Sequence, residues 1–325
     1  MSSNTPSPQK VSQTADQFTY SVIIPVFNSE KIVRDTVQRT EAFFQAMQWR
    51  CQIILVNDGS GDGSWEAIAE CALNKSNVVA INLLRNYGQH TAVFCGLKHA
   101  TGDFMITIDD DLQNPPEEIV HLVAKILEGY DVVFGRFRQK QHARFRRLGS
   151  RAITCLNRWV FSQPRELQVT NFRIFKREIA TRMLVYHTSF PFINGLALMF
   201  SSKRANVWVN HMPRRSGRSN YGFTAVLALI GRILFNYSAF PLRLFSLIGF
   251  CATFVAGILG VYFFVHALLY GTRVAGWAST IILISFLSGI NIAITSMVGE
   301  YLVRLLKQSS CSEAYQVQEI IGSNV

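Results

Sequence analysis

The sequence predicts an α/β fold: a mostly parallel sheet with helices on both faces, followed by a two-helix transmembrane hairpin. Three observations predict it. Short β-rich apolar runs alternate with helical patterns between Ser21 and Phe134. Two of those runs end in acidic clusters. Near the C-terminus, two long stretches carry almost no charge.

Ser21–Phe27 reads as the first strand, with a helical pattern over 29–47 behind it. Gln52–Val56 is the second strand and runs into Asn57-Asp58-Gly59-Ser60, with a helix over 63–73. Val78–Asn82 is the third, followed by a helix over 88–100. Phe104–Ile108 is the fourth and runs into Asp109-Asp110-Asp111. Pro115 and Pro116 then open a helix, since proline fits a first helical turn. Asp131–Phe134 is the fifth strand. Strands joined by helices imply right-handed βαβ units and a sheet covered on both faces. Further on, Asn171–Phe175 and Ala205–Asn210 read as strands, 176–186 as a helix, and His211–Tyr221 as a polar, basic loop.

The chain has 325 residues, 32 of them Lys or Arg and 21 Asp or Glu. Charged residues make up 16%, against about 25% in an ordinary soluble domain. The deficit lies between Leu244 and Gly299, where Arg273 is the single charged side chain. This excludes a disordered chain, a collagen-like repeat and a small disulfide scaffold. The six cysteines form no CxxC pair and read as reduced thiols. Residues 1–17 are polar, lack the apolar run of a secretory signal, and read as a disordered tail.

Leu244–Tyr270 and Val274–Gly299 are both long enough to cross the ~30 Å hydrocarbon core of a bilayer. Arg232 and Arg243 precede the first span, Arg304 and Lys307 follow the second, and the link holds only Arg273. The positive-inside rule then places the large domain in the cytoplasm. The expected organisation is a catalytic domain over 18–220, an interfacial region over 221–243, spans over 244–270 and 274–299, and a cytoplasmic tail over 300–325. A core helix is an equal alternative for the apolar part of 221–243.

The net charge of +11 calls for an anionic partner. Nucleic acid is disfavoured, because no recognition-helix or aromatic-interleaved motif is present. An anionic bilayer surface and a phosphorylated substrate fit better. Carboxylates one residue apart, Asp109 and Asp111, can face a hard divalent cation such as Mg²⁺ or Mn²⁺, with Gln113 offering an amide oxygen. An acidic turn that merely caps a helix is the alternative. Asp58 can accept from a nucleotide base or serve as a turn residue. Arg136–Arg151 holds seven Lys or Arg in sixteen positions. Within it, Arg136, Arg146 and Ser150 can bind a phosphate. Arg214, Arg215 and Arg218 form a second basic cluster. Lipid headgroups and solvent are the alternative partners for both.

Taken in order, Ser21–Glu30, Val56–Ser60 and Asp109–Glu117 resemble the family 2 glycosyltransferases of GT-A (Rossmann-like) fold. The string DDDLQNPPEE is similar to the signature of the polyprenyl-phosphate branch, which contains dolichol-phosphate mannose synthases, bactoprenol glucosyltransferases and undecaprenyl-phosphate aminoarabinose transferases. The resemblance covers roughly residues 20–305. It implies a metal-dependent, inverting transferase that moves a sugar from a nucleotide-diphosphate sugar, UDP or another pyrimidine, to polyprenyl phosphate. It further implies a multi-pass protein of the bacterial inner membrane that serves the cell envelope, and a homo-oligomer.

Carried over residue by residue, the resemblance puts Pro25, Phe27, Glu30, Asp58 and Asp110 with the nucleotide. Asp109, Asp111 and Gln113 match the metal positions. Arg136, Arg146 and Ser150 match positions near the lipid phosphate and the transferred sugar, and Arg214 a loop that closes over the phosphates. Asp111, Arg136, Arg146, Ser150 and Arg214 form the expected catalytic set. The chain departs from the family pattern at Asn220, where Lys is usual, and at Asn171, where the mannose and glucose branches carry Asp. A processive synthase is disfavoured: Arg158-Trp159 is preceded by Cys155 where that class has Gln. A silent membrane scaffold is disfavoured by the intact Asp109, Asp111 and Gln113.

Overall fold

The computed structural model describes residues 14–137, 144–188, 190–212, 223–271, 276–309 and 315–322. The chain begins β1 (Thr19–Val26), α1 (Glu30–Met47), β2 (Arg50–Asn57), α2 (Ser64–Asn74), β3 (Val78–Leu83), α3 (Gln89–Lys98) and β4 (Phe104–Thr107). It continues with a short 3₁₀ turn (Pro116–Glu118), α4 (Ile119–Ile126), β5 (Val132–Phe137), α5 (Arg144–Phe161), β6 (Arg173–Lys176), α6 (Arg177–Val185), α7 (Ile193–Phe200) and β7 (Arg204–Val209). Then come α8 (Phe223–Tyr237), α9 (Phe240–Tyr270), α10 (Trp277–Ser309) and β8 (Val317–Ile321).

Eight strands form one sheet in the order β7-β5-β6-β4-β1-β2-β3-β8. The centre, β4-β1-β2-β3, is parallel. β6 runs antiparallel to both β4 and β5, whereas β5 and β7 are parallel to each other. Alternation along β1 shows how the sheet is covered. Val22 and Ile24 join the cluster that holds Val33, Val37 and Phe44 of α1 and Ile68 of α2. Ile23 points the other way, where a Cβ on Gly96 of α3 would sit 2.5 Å from its methyl group. Both faces of the central strands are therefore apolar, as a parallel sheet requires.

Two differences from the sequence reading concern the ends of the chain. Ala15, assigned to a disordered tail, is buried, and its carbonyl accepts from the Tyr20 hydroxyl at 3.0 Å. Tyr20 lies in turn within an aromatic group formed with Phe44, Trp49 and Phe104. That packing supplies the order that local composition does not. The segment 300–325, read as a tail, contains the last turns of α10 and then β8. β8 pairs antiparallel with β3, and the Leu84 amide donates to the Gln316 carbonyl at 3.0 Å. An edge strand of this kind is dictated by the unpaired backbone of β3 rather than by its own hydropathy.

The described chain divides into two compact units, with the boundary after Leu227 and with the residues from Glu313 belonging to the first. In the second unit, α9 and α10 pack antiparallel. Gly289 lies against Thr253 and Gly249 against Ile292. Small residues at such crossings let helix backbones approach closely. Ser246–Tyr270 is a 25-residue helix with mean hydropathy 2.2, long and apolar enough to cross a membrane. The apolar stretch of α10, Leu283–Gly299, is shorter. Phe254, Tyr262, Leu268, Leu287 and Met297 are exposed on these two helices. Residues 272–273 of the expected link and 274–275 at the start of the expected second span lie outside the described residues.

Asp131 anchors the turn into β5. Its carboxylate accepts from the Ser202 and Lys203 amides at 3.1 and 2.9 Å, from the Ser202 hydroxyl at 3.1 Å and from Lys176 Nζ at 3.3 Å. Partial burial pushes its pKa up, but these donors outweigh burial and hold it at about 2. A carboxyl depressed in this way stabilises the fold above the unfolded value of about 4, and that stability is lost as pH falls toward 2. Asp131→Asn is expected to lower stability at pH 7 by about 1 kcal/mol, since solvent screens a carboxylate at this partly exposed turn. Thermal unfolding in detergent should show the gap from wild type narrowing as pH drops below 4.

Candidate active site

Because β4, β1 and β2 are parallel neighbours, their carboxyl ends deliver three segments to one edge: Phe27–Glu30, Asp58–Ser60 and Asp109–Gln113. Parallel sheets bind ligands at this edge. The segments are tied to one another. The Phe27 amide donates to the Asp110 carboxylate at 3.3 Å, and the Asn28 amide donates to the Ser60 hydroxyl at 3.0 Å. Asn28, at φ 53, returns a side-chain oxygen to the Gly61 amide at 2.9 Å. Gly59 has φ +64, and a Cβ there would lie 2.4 Å from the Arg85 carbonyl carbon. Only glycine lets these two loops approach so closely.

Asp58 is 3% exposed. Its carboxylate accepts from the Tyr87 amide at 2.7 Å and the Gly88 amide at 2.9 Å, at the start of α3. Burial raises its pKa to about 6 against the pull of those two donors. Glu30, expected to hold nucleotide, accepts from the Gly63 amide at the start of α2 at 3.3 Å. Phe27 is partly exposed at the same edge. Pro25 lies beneath it and lines a packed polar pocket with Gln89, His90, Asp109, Asn171 and Arg173.

The acidic turn is compact. Leu112 takes φ 57 and is buried, which folds the backbone back on itself. Asp111 accepts from the Gln113 amide at 3.1 Å. Asp109 accepts from Gln89 Nε2 at 2.5 Å and from Asn114 Nδ2 at 3.4 Å. Burial, with Asp111 and Asp110 beside it, raises Asp109 to about 7, opposed by Gln89 and Arg173. Burial also raises Asp110 to about 6, opposed by donors from Ser29 and Phe27. Among the described residues no three His, Cys, Asp or Glu side chains converge as a ready-made cage. The donor set nevertheless fits Mg²⁺ or Mn²⁺, which take one or two carboxylates and complete their shell with phosphate oxygens and water. Three crowded carboxylates, two of them with raised pKa, favour a cation.

The first of the basic residues lies on the other half of the sheet. Arg136, at the end of β5, stacks its guanidinium 4.4 Å from the Trp208 ring centroid. Arg146 and Ser150 fall one turn apart on α5, and their side chains lie outside the described residues, as do Arg214 and Asn220. Four residues to which the sequence reading gave no role complete the site. Gln89 and Asn114 brace Asp109. Arg173, 1% exposed, donates to Asn194 Oδ1. His90 packs edge-on to Phe192 at 4.9 Å, and burial together with Arg173 lowers its pKa to about 3, so it is neutral at pH 7. A lone arginine inside the apolar run Phe172–Phe175 was the available signal for Arg173. Asn114 stood inside the recognised motif. Asn171 keeps its carbonyl as the acceptor for the Thr107 hydroxyl.

Comparison with known proteins agrees with this geometry. The family model described as Glycosyl transferase family 2 matches residues 21–194. The undecaprenyl-phosphate 4-deoxy-4-formamido-L-arabinose transferase of Proteus mirabilis (strain HI4320) is 35% identical, covering 93% of this chain and 94% of its own. The protein of the same name from Shewanella sediminis (strain HAW-EB3) is 34% identical, covering 93% and 92%. Among solved structures, glucosyl-3-phosphoglycerate synthase from Mycobacterium tuberculosis with Mg²⁺ and UDP matches with TM-score 0.54 at 19% identity, covering 70% of this chain and 83% of that one. The same enzyme with Mn²⁺, UDP and phosphoglyceric acid matches with TM-score 0.53 at 18% identity, covering 70% and 81%. The fold is therefore GT-A, and the chain belongs to glycosyl transferase family 2.

Proposed function

We propose that this protein transfers a sugar from a UDP-sugar to polyprenyl phosphate, with inversion, at the cytoplasmic face of a bacterial inner membrane, as a homo-oligomer. One observation carries the reading. Asp58, at the carboxyl end of β2, and Asp109, Asp110 and Asp111, at the carboxyl end of β4, line one sheet edge, in a chain matched along nearly its whole length by undecaprenyl-phosphate transferases. The structural neighbours that hold UDP with Mg²⁺ or Mn²⁺ support the nucleotide and the metal. A UDP-linked 4-deoxy-4-formamido-L-arabinose is the first donor to supply, on the strength of the relatives' names. Spans over 244–270 and 274–299 would anchor the enzyme beside its lipid substrate.

In this reading Pro25, Phe27 and Asp58 hold the nucleoside, and Asp110 fixes the β1 exit that Phe27 occupies. Glu30, one of whose carboxylate oxygens accepts from the Gly63 amide, stands on the same nucleotide side. Asp109 and Asp111, with Gln113, would hold Mg²⁺ or Mn²⁺ against the diphosphate. When bound, the cation neutralises the charge that builds on the leaving nucleotide. Arg136, Arg146, Ser150 and Arg214 gather the lipid phosphate and bring two anionic substrates together. The attacking oxygen needs no proton removed, because a phosphate monoester has its second pKa near ~6 and is largely dianionic at pH 7. A neutral Asn171 is compatible with such chemistry, since an amide cannot act as a base.

Three outcomes test the reading. Purified protein given undecaprenyl phosphate, Mg²⁺ or Mn²⁺ and a panel of UDP-sugars should move sugar into the organic phase. EDTA should abolish transfer, added Mn²⁺ should restore it, and Asp111→Asn should reduce kcat by about 100-fold or more. Without any transfer to the lipid, the acceptor assignment is wrong. Asn171→Ala should hold kcat within about fivefold of wild type; a loss of about 100-fold or more would give the Asn171 amide a hydrogen-bonding role in the transition state. Cys155, exposed on α5, should react with a membrane-impermeant maleimide in inverted vesicles and not in right-side-out ones. The opposite labelling would put the domain outside the cell.

A further inference from the structure

Trp208 is a large aromatic side chain left 47% exposed on β7, the edge strand of the sheet. Nothing in the donor half of the site accounts for it. In the β5–β7 register it stands directly opposite Arg136, whose guanidinium carbon lies 4.4 Å from the centre of its ring. The donors of a guanidinium lie in its plane, so stacking on an indole occupies the face and leaves the in-plane N–H fork for a phosphate. Stacking also removes rotamer freedom that an exposed arginine would otherwise lose on binding.

The backbone that carries Trp208 is itself fixed to the acidic turn. Asn210 donates from its amide and its side chain to the Glu118 carboxylate, at 3.1 and 2.7 Å. His211 packs on Phe137 with ring centroids 4.4 Å apart, and its Nδ1 lies 3.4 Å from Asn114 Oδ1. The Met212 amide donates to the Gln113 carbonyl at 2.9 Å. A short strip of chain thus runs from the cation at the end of β5 to the turn expected to hold the metal and diphosphate. Immediately after it, the sequence enters the basic segment with Arg214, Arg215 and Arg218.

We propose that Trp208 is a positioning residue for the acceptor: its indole face holds the Arg136 guanidinium edge-on to the lipid phosphate, at a distance from the acidic turn set by the Asn210–Met212 strip. The inference rests on the acceptor reading given above. It assigns Trp208 no contact with the reacting atoms.

The test is a titration of undecaprenyl phosphate in mixed detergent micelles, paired with steady-state transfer, on wild type, Trp208→Ala, Trp208→Phe, Arg136→Ala and the double variant. Loss of a cation–π contact and of preorganisation should weaken lipid binding by about tenfold in Trp208→Ala. The lipid KM should rise by the same factor, with kcat and donor KM within about twofold of wild type. Trp208→Phe, which keeps an aromatic face, should recover most of the loss. The double variant should be no worse than Arg136→Ala alone, because the two residues act as one unit. Unchanged lipid binding in Trp208→Ala, losses that multiply in the double variant, or an equal weakening of the donor would each overturn the inference. A wild type that binds and transfers while Trp208→Ala matches it sinks the inference alone. If wild type neither binds the lipid nor transfers sugar, the acceptor reading itself fails, and the inference fails with it.

Discussion

The amino terminus of α3 is the element on which the site depends. Asp58 is buried and Asp109 partly buried at the sheet edge, and a carboxylate charge withdrawn from water is costly unless it is compensated. Both are compensated by the same helix end. The Tyr87 and Gly88 amides donate to Asp58, and the side chain of Gln89, the first residue of α3, donates to Asp109. A helix N-terminus carries positive partial charge and exposed N–H groups, so it suits two acids approaching from different strands. The α3 axis is held in turn by the close fit of Gly96 onto Ile23 and Val56. Packing inside the sheet and charge compensation at its edge are therefore one arrangement.

Compensation of Asp109 continues below the edge. Arg173 enters from β6, opposite Thr107 of β4 in the antiparallel register, and its buried charge lies near Asp109. Burial pulls its pKa down to about 9 and Asp109 pulls it back up, so it stays cationic at pH 7. His90, neutral beside it, adds no competing charge. The antiparallel insertion of β6 between β4 and β5 is what delivers this cation. A wholly parallel sheet would have carried the start of that strand, and Arg173 with it, to the opposite edge. The mixed topology is thus a feature of the site as well as of the fold.

The central strands and the acidic edge were legible because their signals are local. Apolar β-branched runs ending in Asp58 and in Asp109–Asp111 place themselves once the sheet is read as parallel. What stayed hidden depends on contacts distant in sequence. β8 is defined by the open backbone of β3, more than 230 residues earlier. Ala15 is ordered only because Tyr20 and its aromatic neighbours cover it. Glu30 lies next to the β1 exit in sequence, and one of its carboxylate oxygens accepts from Gly63, because the N-terminus of α2 offers an amide there. Gln89 has no acidic or basic character, so nothing in composition marks it as the partner of Asp109. Motif resemblance located the turn. It did not identify the neutral amides that make burying the turn affordable.

The charge distribution explains why one domain can bring two anions together. The acids gather at the exits of β1, β2 and β4, where a cation and backbone amides can offset them. The basic residues follow β5 and β7, on the far side of β6. The acidic half is thus compensated mainly by fixed dipoles, while the other half relies on long cationic side chains. Such side chains lose much freedom on binding unless something holds them first. On that basic half, a described contact that does so is the stack of Arg136 on Trp208. An exposed tryptophan on an edge strand is costly to keep in water. Its position across from the cation that an anionic lipid headgroup would meet gives that cost a physical reason.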